Sequence, residues 1–200
     1  MAIVQDFEKD IGHKSEIKEY FNQLASSLES INLEGLNTLV QLVITARSED
    51  RKIFIAGNGG SASTAEHMAA DLSNTLTKRV NAISLVSNTP RVLAIANDYG
   101  YEHVFSRQLQ LVGSARDLLI VFSGSGNSTN LIHAVGTAKE MNISTIGIVG
   151  FDGGKLKGIV DYCVHIENND MQIAEDIHLA INHMMVRVIE KSDRANKVVT

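Results

Sequence analysis

Cysteine and proline are nearly absent from this chain, long apolar runs are missing, and positive charge is in the minority. Cys163 is the single cysteine in 200 residues, so no disulfide can form within the chain and a reducing compartment, the cytoplasm, is expected. It sits in Tyr162-Cys163-Val164-His165-Ile166, which suits a buried strand residue better than a nucleophile. The one proline, Pro90, follows Ser87-Asn88-Thr89, where proline can open a helix. No run comes near the roughly 20 apolar residues of a membrane-spanning helix. The N-terminus turns polar within a few residues, so neither an anchor nor a secretory signal is expected. A net charge of −5 lacks the basic footprint of a general nucleic-acid binder. It leaves open a small anionic ligand, whose recognition is local.

What is present is the composition of an ordinary globular domain, 44% hydrophobic and 20% charged. No repeat, low-complexity stretch or linker divides it. One domain is expected over residues 1–200: N-terminal helices over 1–50, an α/β core over 51–168 and a C-terminal helix over 169–200. Ile17, Tyr20, Phe21, Leu24 and Leu28 recur at helical spacing, and Leu36, Leu39, Leu42 and Val43 continue the pattern in a second helix. Short β-branched runs then appear at 52–56, 82–86, 118–123, 144–149 and 162–167, separated by helix-length segments. Continuous apolar runs of this kind mark strands buried on both faces of a parallel sheet. The expected fold is therefore an α/β three-layer sandwich around five parallel strands, with an N-terminal helical hairpin. A long helix is expected from about Asp170 to Lys191, with Ile177, Ile181, Met184, Met185 and Val188 inward. The N-terminal hairpin either covers the sheet or packs on a second subunit, and Met184 and Met185 are candidates for the same seam.

Two turns carry the chemistry. Gly57-Asn58-Gly59-Gly60-Ser61-Ala62-Ser63 follows the first strand, and Ser123-Gly124-Ser125-Gly126-Asn127-Ser128 follows the third. Glycines let backbone N–H groups approach a ligand, serine hydroxyls add donors, and the helix N-terminus supplies partial positive charge. Such a turn binds anions, most often phosphate. Neither turn matches the dinucleotide fingerprint or ends in the Gly-Lys-Ser/Thr of a triphosphate loop, which argues against a kinase. Both leave the carboxyl ends of strands, where open α/β sheets bind ligands.

His67 and Asp71 are four residues apart, on one face of the helix behind the first turn. Glu175, His178 and His183 are the candidates on the last helix; Glu175 and His183, eight apart, share a side, and His178 falls on the other flank of Glu175. Two histidines and two carboxylates suit a divalent metal such as zinc. They equally suit proton transfer between neighbouring carbons of a sugar phosphate. His13, His103, His133 and His165 have no such setting and read as ordinary surface or core residues.

The stretch from Gly57 to Ala62 with His67 and Asp71, together with Ala96-Asn97-Asp98 and Ser123–Ser128, resembles the sugar isomerase (SIS) domain, and within it the phosphoheptose isomerase family. The resemblance extends through Phe151-Asp152-Gly153-Gly154-Lys155 and Ala174-Glu175-Asp176-Ile177-His178. It implies isomerisation of sedoheptulose 7-phosphate to D-glycero-D-manno-heptose 7-phosphate through an enediol(ate), in a homotetramer. It also implies phosphate binding by Ser61, Ser123, Ser125 and Ser128, with Asn58, Gly59, Gly60, Asp98 and Gln172 lining the substrate site. His183 becomes the catalytic histidine, with Asp71 or Glu175 as its partner, and His67, Asp71, Glu175 and His183 become the zinc ligands. The chain departs from the family pattern where Asp71 replaces a glutamate, Glu175 a glutamine, Gln172 an aspartate and Thr75 an arginine, with Lys78 and Arg79 near. These changes cluster in the sugar and metal part of the site; the phosphate part matches.

A non-catalytic SIS module is the alternative. One tetrameric bacterial relative of this kind binds the replication initiator and lacks the late histidine, whereas His183 is present here. A sugar-phosphate-sensing regulator would need a DNA-binding domain, which these residues do not contain.

Overall fold

The central strand is buried along its whole length, which fixes the layering of the molecule. The structure, a computed structural model, describes residues 12–74 and 78–198. In β3 (Leu118–Ser123) all six side chains are buried. Leu118, Ile120 and Phe122 enter one apolar core and Leu119 and Val121 another, as the two-residue period of a strand requires. Around it stand β1 (Lys52–Ala56), β2 (Asn81–Ser84), β4 (Ser144–Val149) and β5 (Tyr162–His165), all parallel, in the order β2-β1-β3-β4-β5. The expected five-stranded parallel sandwich is thus the fold observed. The edge strands are shorter than expected: β2 ends at Ser84, although Leu85 still donates to the Ile55 carbonyl, and β5 ends at His165. Cys163 is half-buried on that edge, and burial raises its thiol pKa.

One face of the sheet is covered by α2 (Leu33–Ser48), α3 (Gly60–Asn74) and α8 (Met171–Val198), with α1 (Lys14–Glu29) packed on α8. The other carries α4 (Thr89–Tyr99), α5 (Ser106–Val112), α6 (Thr129–Glu140) and the short α7 (Gly154–Ile159). Helix starts follow the sequence. Asn32 accepts from Glu34 and Gly35 N–H, Asn88 accepts from Arg91 N–H beside Pro90, and Asp170 accepts from Gln172 and Ile173 N–H.

The two helices of the hairpin differ in how much of their apolar face is buried. The second helix covers the sheet, while on the first only Tyr20 and Leu24 meet the core and Ile17, Phe21 and Leu28 stay exposed. Tyr20 donates to Asp176 Oδ2 at 2.7 Å, and that carboxylate pushes its phenol pKa up to about 12. Two expectations on α8 need correction. The inward row repeats every four residues through Ile173, Ile177, Ile181, Met185 and Ile189, which swings Val188 out to solvent. Met185 is wholly buried in this row and belongs to no seam, whereas Met184 is only partly covered.

The strand order matters for function. From β1 the chain steps outward through α3 to β2, then returns to the opposite side as β3. The crevice at the carboxyl ends of β1 and β3 is the topological switch point, where such sheets bind ligands.

Candidate active site

Both serine turns open into this crevice. Asn58, Gly59, Ser61, Ser123, Ser125 and Ser128 line a cavity of about 250 Å³, closed by Phe122, Gly124, Met171 and Glu175. The first turn can be this tight because Gly57 has no side chain: a Cβ there would run into the Ser61 backbone. Gly59 takes φ of 55°, a left-handed conformation that glycine adopts without strain. The helices α3 and α6 both begin at the cavity, so two N-termini direct their partial positive charge at it.

The hydroxyls are prearranged. Ser123 Oγ accepts from Gly126 N–H at 3.1 Å and Ser125 Oγ from Asn127 N–H at 3.2 Å, which frees each hydroxyl hydrogen to donate. Ser128 is the N-cap of α6 yet makes no capping bond with its side chain, leaving its hydroxyl to face the cavity. Asn58 is held by a reciprocal amide pair with Asn130, 2.9 Å each way, and by the Tyr101 hydroxyl at 2.9 Å. Donors without a cation, converging at helix N-termini, match a phosphate monoester.

Glu175 lies in this cavity, with its carboxylate against Gly60, where any Cβ would collide with it. Its negative charge suits the N-terminus of α3 but opposes a bound phosphate. Two other expected lining residues stand elsewhere. Asp98 is exposed on α4, accepting from Asn97 Nδ2 at 2.9 Å, and Gln172 is exposed in the first turn of α8; neither lines the cavity of this chain. Thr75 lies outside the described residues.

Farther along α3 and α8, His67, Asp71 and His183 offer ligand atoms that all lie within 4.8 Å of one another. The imidazole rings stand edge to face with centroids 5.0 Å apart, and His67 Nε2 is 3.5 Å from Asp71 Oδ2. The shorter aspartate therefore reaches the histidines. Two imidazoles and one carboxylate with open space beside them are the donor set of a catalytic zinc. Glu175 does not join them, which corrects the expected four-ligand set within one chain. Eight residues separate it from His183, about 12 Å along the helix axis.

Two buried polar residues were not assigned roles from sequence. Asn182 donates from Nδ2 to Asp71 Oδ2 at 2.8 Å, and its Oδ1 is buried without a partner. His178 Nδ1 lies 3.2 Å from Ser61 Oγ, its ring packs on Phe122, and Nε2 has no partner among the described residues. Burial pushes the imidazole pKa down to about 4, so the ring is neutral at neutral pH. The signal for His178 was its register: it falls between Ala174 and Ile181, both buried, at four- and three-residue steps.

The other histidines divide differently. His165 Nε2 lies 2.9 Å from the Phe151 carbonyl oxygen, and His13 is exposed beside α1. His103 and His133 pair at 5.0 Å in a larger cleft of about 930 Å³ under α5 and α6, which includes none of the cavity serines. Size alone would favour that cleft; donor chemistry favours the smaller cavity.

Converging serine turns at the switch point of a parallel sheet define a SIS domain, and the family model described as SIS domain matches residues 19–150. The phosphoheptose isomerase of Helicobacter pylori (strain P12) is 39% identical over 184 residues, covering 90% of this chain and 92% of the relative. The probable phosphoheptose isomerase of Thermoplasma acidophilum is 34% identical over 177 residues, covering 87% and 97%. Phosphoheptose isomerase GmhA from Neisseria gonorrhoeae superposes with a TM-score of 0.84 at 32% identity, over 89% of this chain and 98% of that one. The chain belongs to the SIS-domain phosphoheptose isomerase family and is a sugar-phosphate isomerase. The enzyme reading therefore stands over the non-catalytic module. No described helix is long and apolar enough to cross a membrane.

Proposed function

We propose that this enzyme interconverts sedoheptulose 7-phosphate and D-glycero-D-manno-heptose 7-phosphate through an enediol(ate). The observation that carries the reading is the separation of two chemistries along α3 and α8. Serine hydroxyls at the helix N-termini suit the phosphate, and acid/base groups about two turns away suit the carbonyl end of an extended sugar. Ser61, Ser123, Ser125 and Ser128 hold the phosphate, with Asn58, Gly59 and Gly60 shaping the turn. His183 moves the proton between C1 and C2, and Asp71 is its partner; the place of Glu175 among the serines supports Asp71 over Glu175 for that role. Asp98 and Gln172 reach substrate only if the assembled sites bring them there.

His67, Asp71 and His183 would hold zinc, whose chemistry is to polarise the substrate oxygens as a Lewis acid. The assembly proposed is a cytoplasmic homotetramer with sites shared between subunits, supported by the uncovered Ile17, Phe21 and Leu28 on α1. The whole chain acts as one domain. NMR of proton exchange at C1 and C2 across a panel of C5–C7 sugar phosphates tests the reaction. Exchange with the heptose phosphates is expected, and turnover confined to a pentose or hexose phosphate would replace the substrate. Light scattering showing a monomer at micromolar concentration would remove the assembly.

A further inference from the structure

We propose that His178 is a positioning residue whose Nδ1–H donates to Ser61 Oγ and thereby turns the Ser61 hydroxyl hydrogen toward the anion in the serine cavity. The inference rests on the phosphate-binding reading of that cavity. A serine hydroxyl has one hydrogen and can also accept. To donate to a phosphate oxygen it must not give its hydrogen to the protein. At Ser123 and Ser125 this is arranged by backbone N–H groups donating to Oγ. At Ser61 the polar atom found beside Oγ is His178 Nδ1, at 3.2 Å.

The tautomer follows from burial. His178 is wholly buried, and its Nε2 has no partner among the described residues. A neutral imidazole carries one N–H. If the hydrogen were on Nε2, a buried donor would be stranded, and Ser61 would spend its own hydrogen on the bare Nδ1. If it is on Nδ1, only a lone pair is stranded, and an unpaired acceptor is tolerated more readily than an unpaired N–H. Both counts favour the Nδ1–H form. Low burial-driven basicity keeps the ring from gaining a second proton near neutral pH. The Phe122 ring at 5.2 Å, itself part of the cavity wall, packs against the imidazole.

Two measurements test this. Nitrogen-15 NMR of the histidine-labelled wild type should show His178 as the Nδ1–H neutral tautomer at pH 7, and an Nε2–H signature overturns the proposal without any mutation. Calorimetric titration with inorganic phosphate should show His178→Leu binding at least tenfold more weakly than wild type. His178→Asn, whose amide can donate near the Nδ1 position, should recover to within threefold. In a Ser61→Ala background His178→Leu should cost no more than a further twofold, because the donor it orients is already gone. An equal loss in both backgrounds would make His178 a general structural residue and overturn the proposal. A wild type that binds neither phosphate nor any sugar phosphate overturns the phosphate reading along with it; normal phosphate binding with the wrong tautomer overturns this inference alone.

Discussion

Asn182 Nδ2 donates to Asp71 Oδ2 at 2.8 Å, and that same oxygen lies 3.5 Å from His67 Nε2. The amide is wholly buried between α3 and α8, so it fixes the carboxylate on the side facing both histidines. A hydrogen bond to a charged group contributes about 1.5–3 kcal/mol. Asn182→Ala should therefore lower isomerase kcat about tenfold or more by the usual conversion of free energy to rate. KM should change little, because the serine cavity is untouched. Steady-state kinetics with circular dichroism as a folding control decides it; an unchanged kcat would mean that Asp71 is held in place without the amide.

Glu175 brings a negative charge into a cavity of phosphate-binding character, where the family pattern has glutamine. Its partial exposure moderates the repulsion, so the effect is one of a few-fold rather than orders of magnitude. Glu175→Gln should tighten inorganic phosphate binding about three- to tenfold at low salt, less so as salt screens the site. Calorimetry at two ionic strengths is the check. Weaker binding in the glutamine variant would show that the carboxylate organises the α3 turn instead of opposing the ligand.

The sheet was legible because its strands are continuous apolar runs, and β3, buried on both faces, matched its expected bounds at Leu118 and Ser123. Edge strands bury less, so β2 and β5 blurred by one or two residues at their ends. The serine turns were legible for a related reason: glycine spacing and strand-end position are local facts. The grouping of His67, Asp71 and His183 across α3 and α8 was named through the family resemblance; what escaped was the rest of how these two helices pack. His178 and Asn182 lie far from Ser61 and Asp71 in sequence, and only the crossing of the two helices makes them neighbours. The same crossing places Glu175 with the serines, although its helical side matches His183. Spacing along one helix gives the face; it does not say which end of the neighbouring helix that face meets.

The buried imidazole of His178 predicts an acid-sensitive fold. Its folded pKa of about 4 lies below the unfolded value near 6.5. Between those values the unfolded chain binds the extra proton, so stability rises with pH through the window and is lost as pH falls from about 6.5 to about 4. The full loss is about 3 kcal/mol from this one group. Ser61 Oγ, 3.2 Å from Nδ1, is the polar atom found beside the ring. Urea unfolding of wild type and His178→Leu at pH 7.5 and pH 5 isolates its contribution. The variant should show the shallower pH dependence, and parallel curves would place the acid sensitivity elsewhere.

His67, Asp71 and His183 make a metal test simple to read. Protein purified without chelator should carry zinc near one per chain, and His67→Ala should abolish it while leaving phosphate affinity within about twofold, since the two sites share no ligand. Elemental analysis and phosphate calorimetry on the same samples give both values. Sub-stoichiometric zinc with activity indifferent to EDTA would remove the metal role and leave the acid/base role intact.

The mechanism places the largest demand on His183. Aldose–ketose isomerisation takes a proton from a carbon beside a carbonyl and returns it to the next carbon, while the neighbouring oxygens exchange a proton. An imidazole can both accept and donate a proton through its ring nitrogens. His183 is exposed, 5.0 Å ring to ring from His67 and within ligand-atom reach of Asp71, so an acid and a base stand side by side where a substrate carbon pair can meet both. A positioned acid–base group supplies about 10²–10⁴ in rate. His183→Gln should therefore lower kcat at least about a hundredfold and abolish proton exchange at C1 and C2. Phosphate binding at Ser61, Ser123, Ser125 and Ser128 should remain near wild type, because the cavity lies about two turns away along α8. Wild-type turnover by His183→Gln would defeat the assignment. If instead Asp71→Asn is inactive while His183→Gln is not, the carboxylate alone shuttles the proton and the histidine serves only as a ligand.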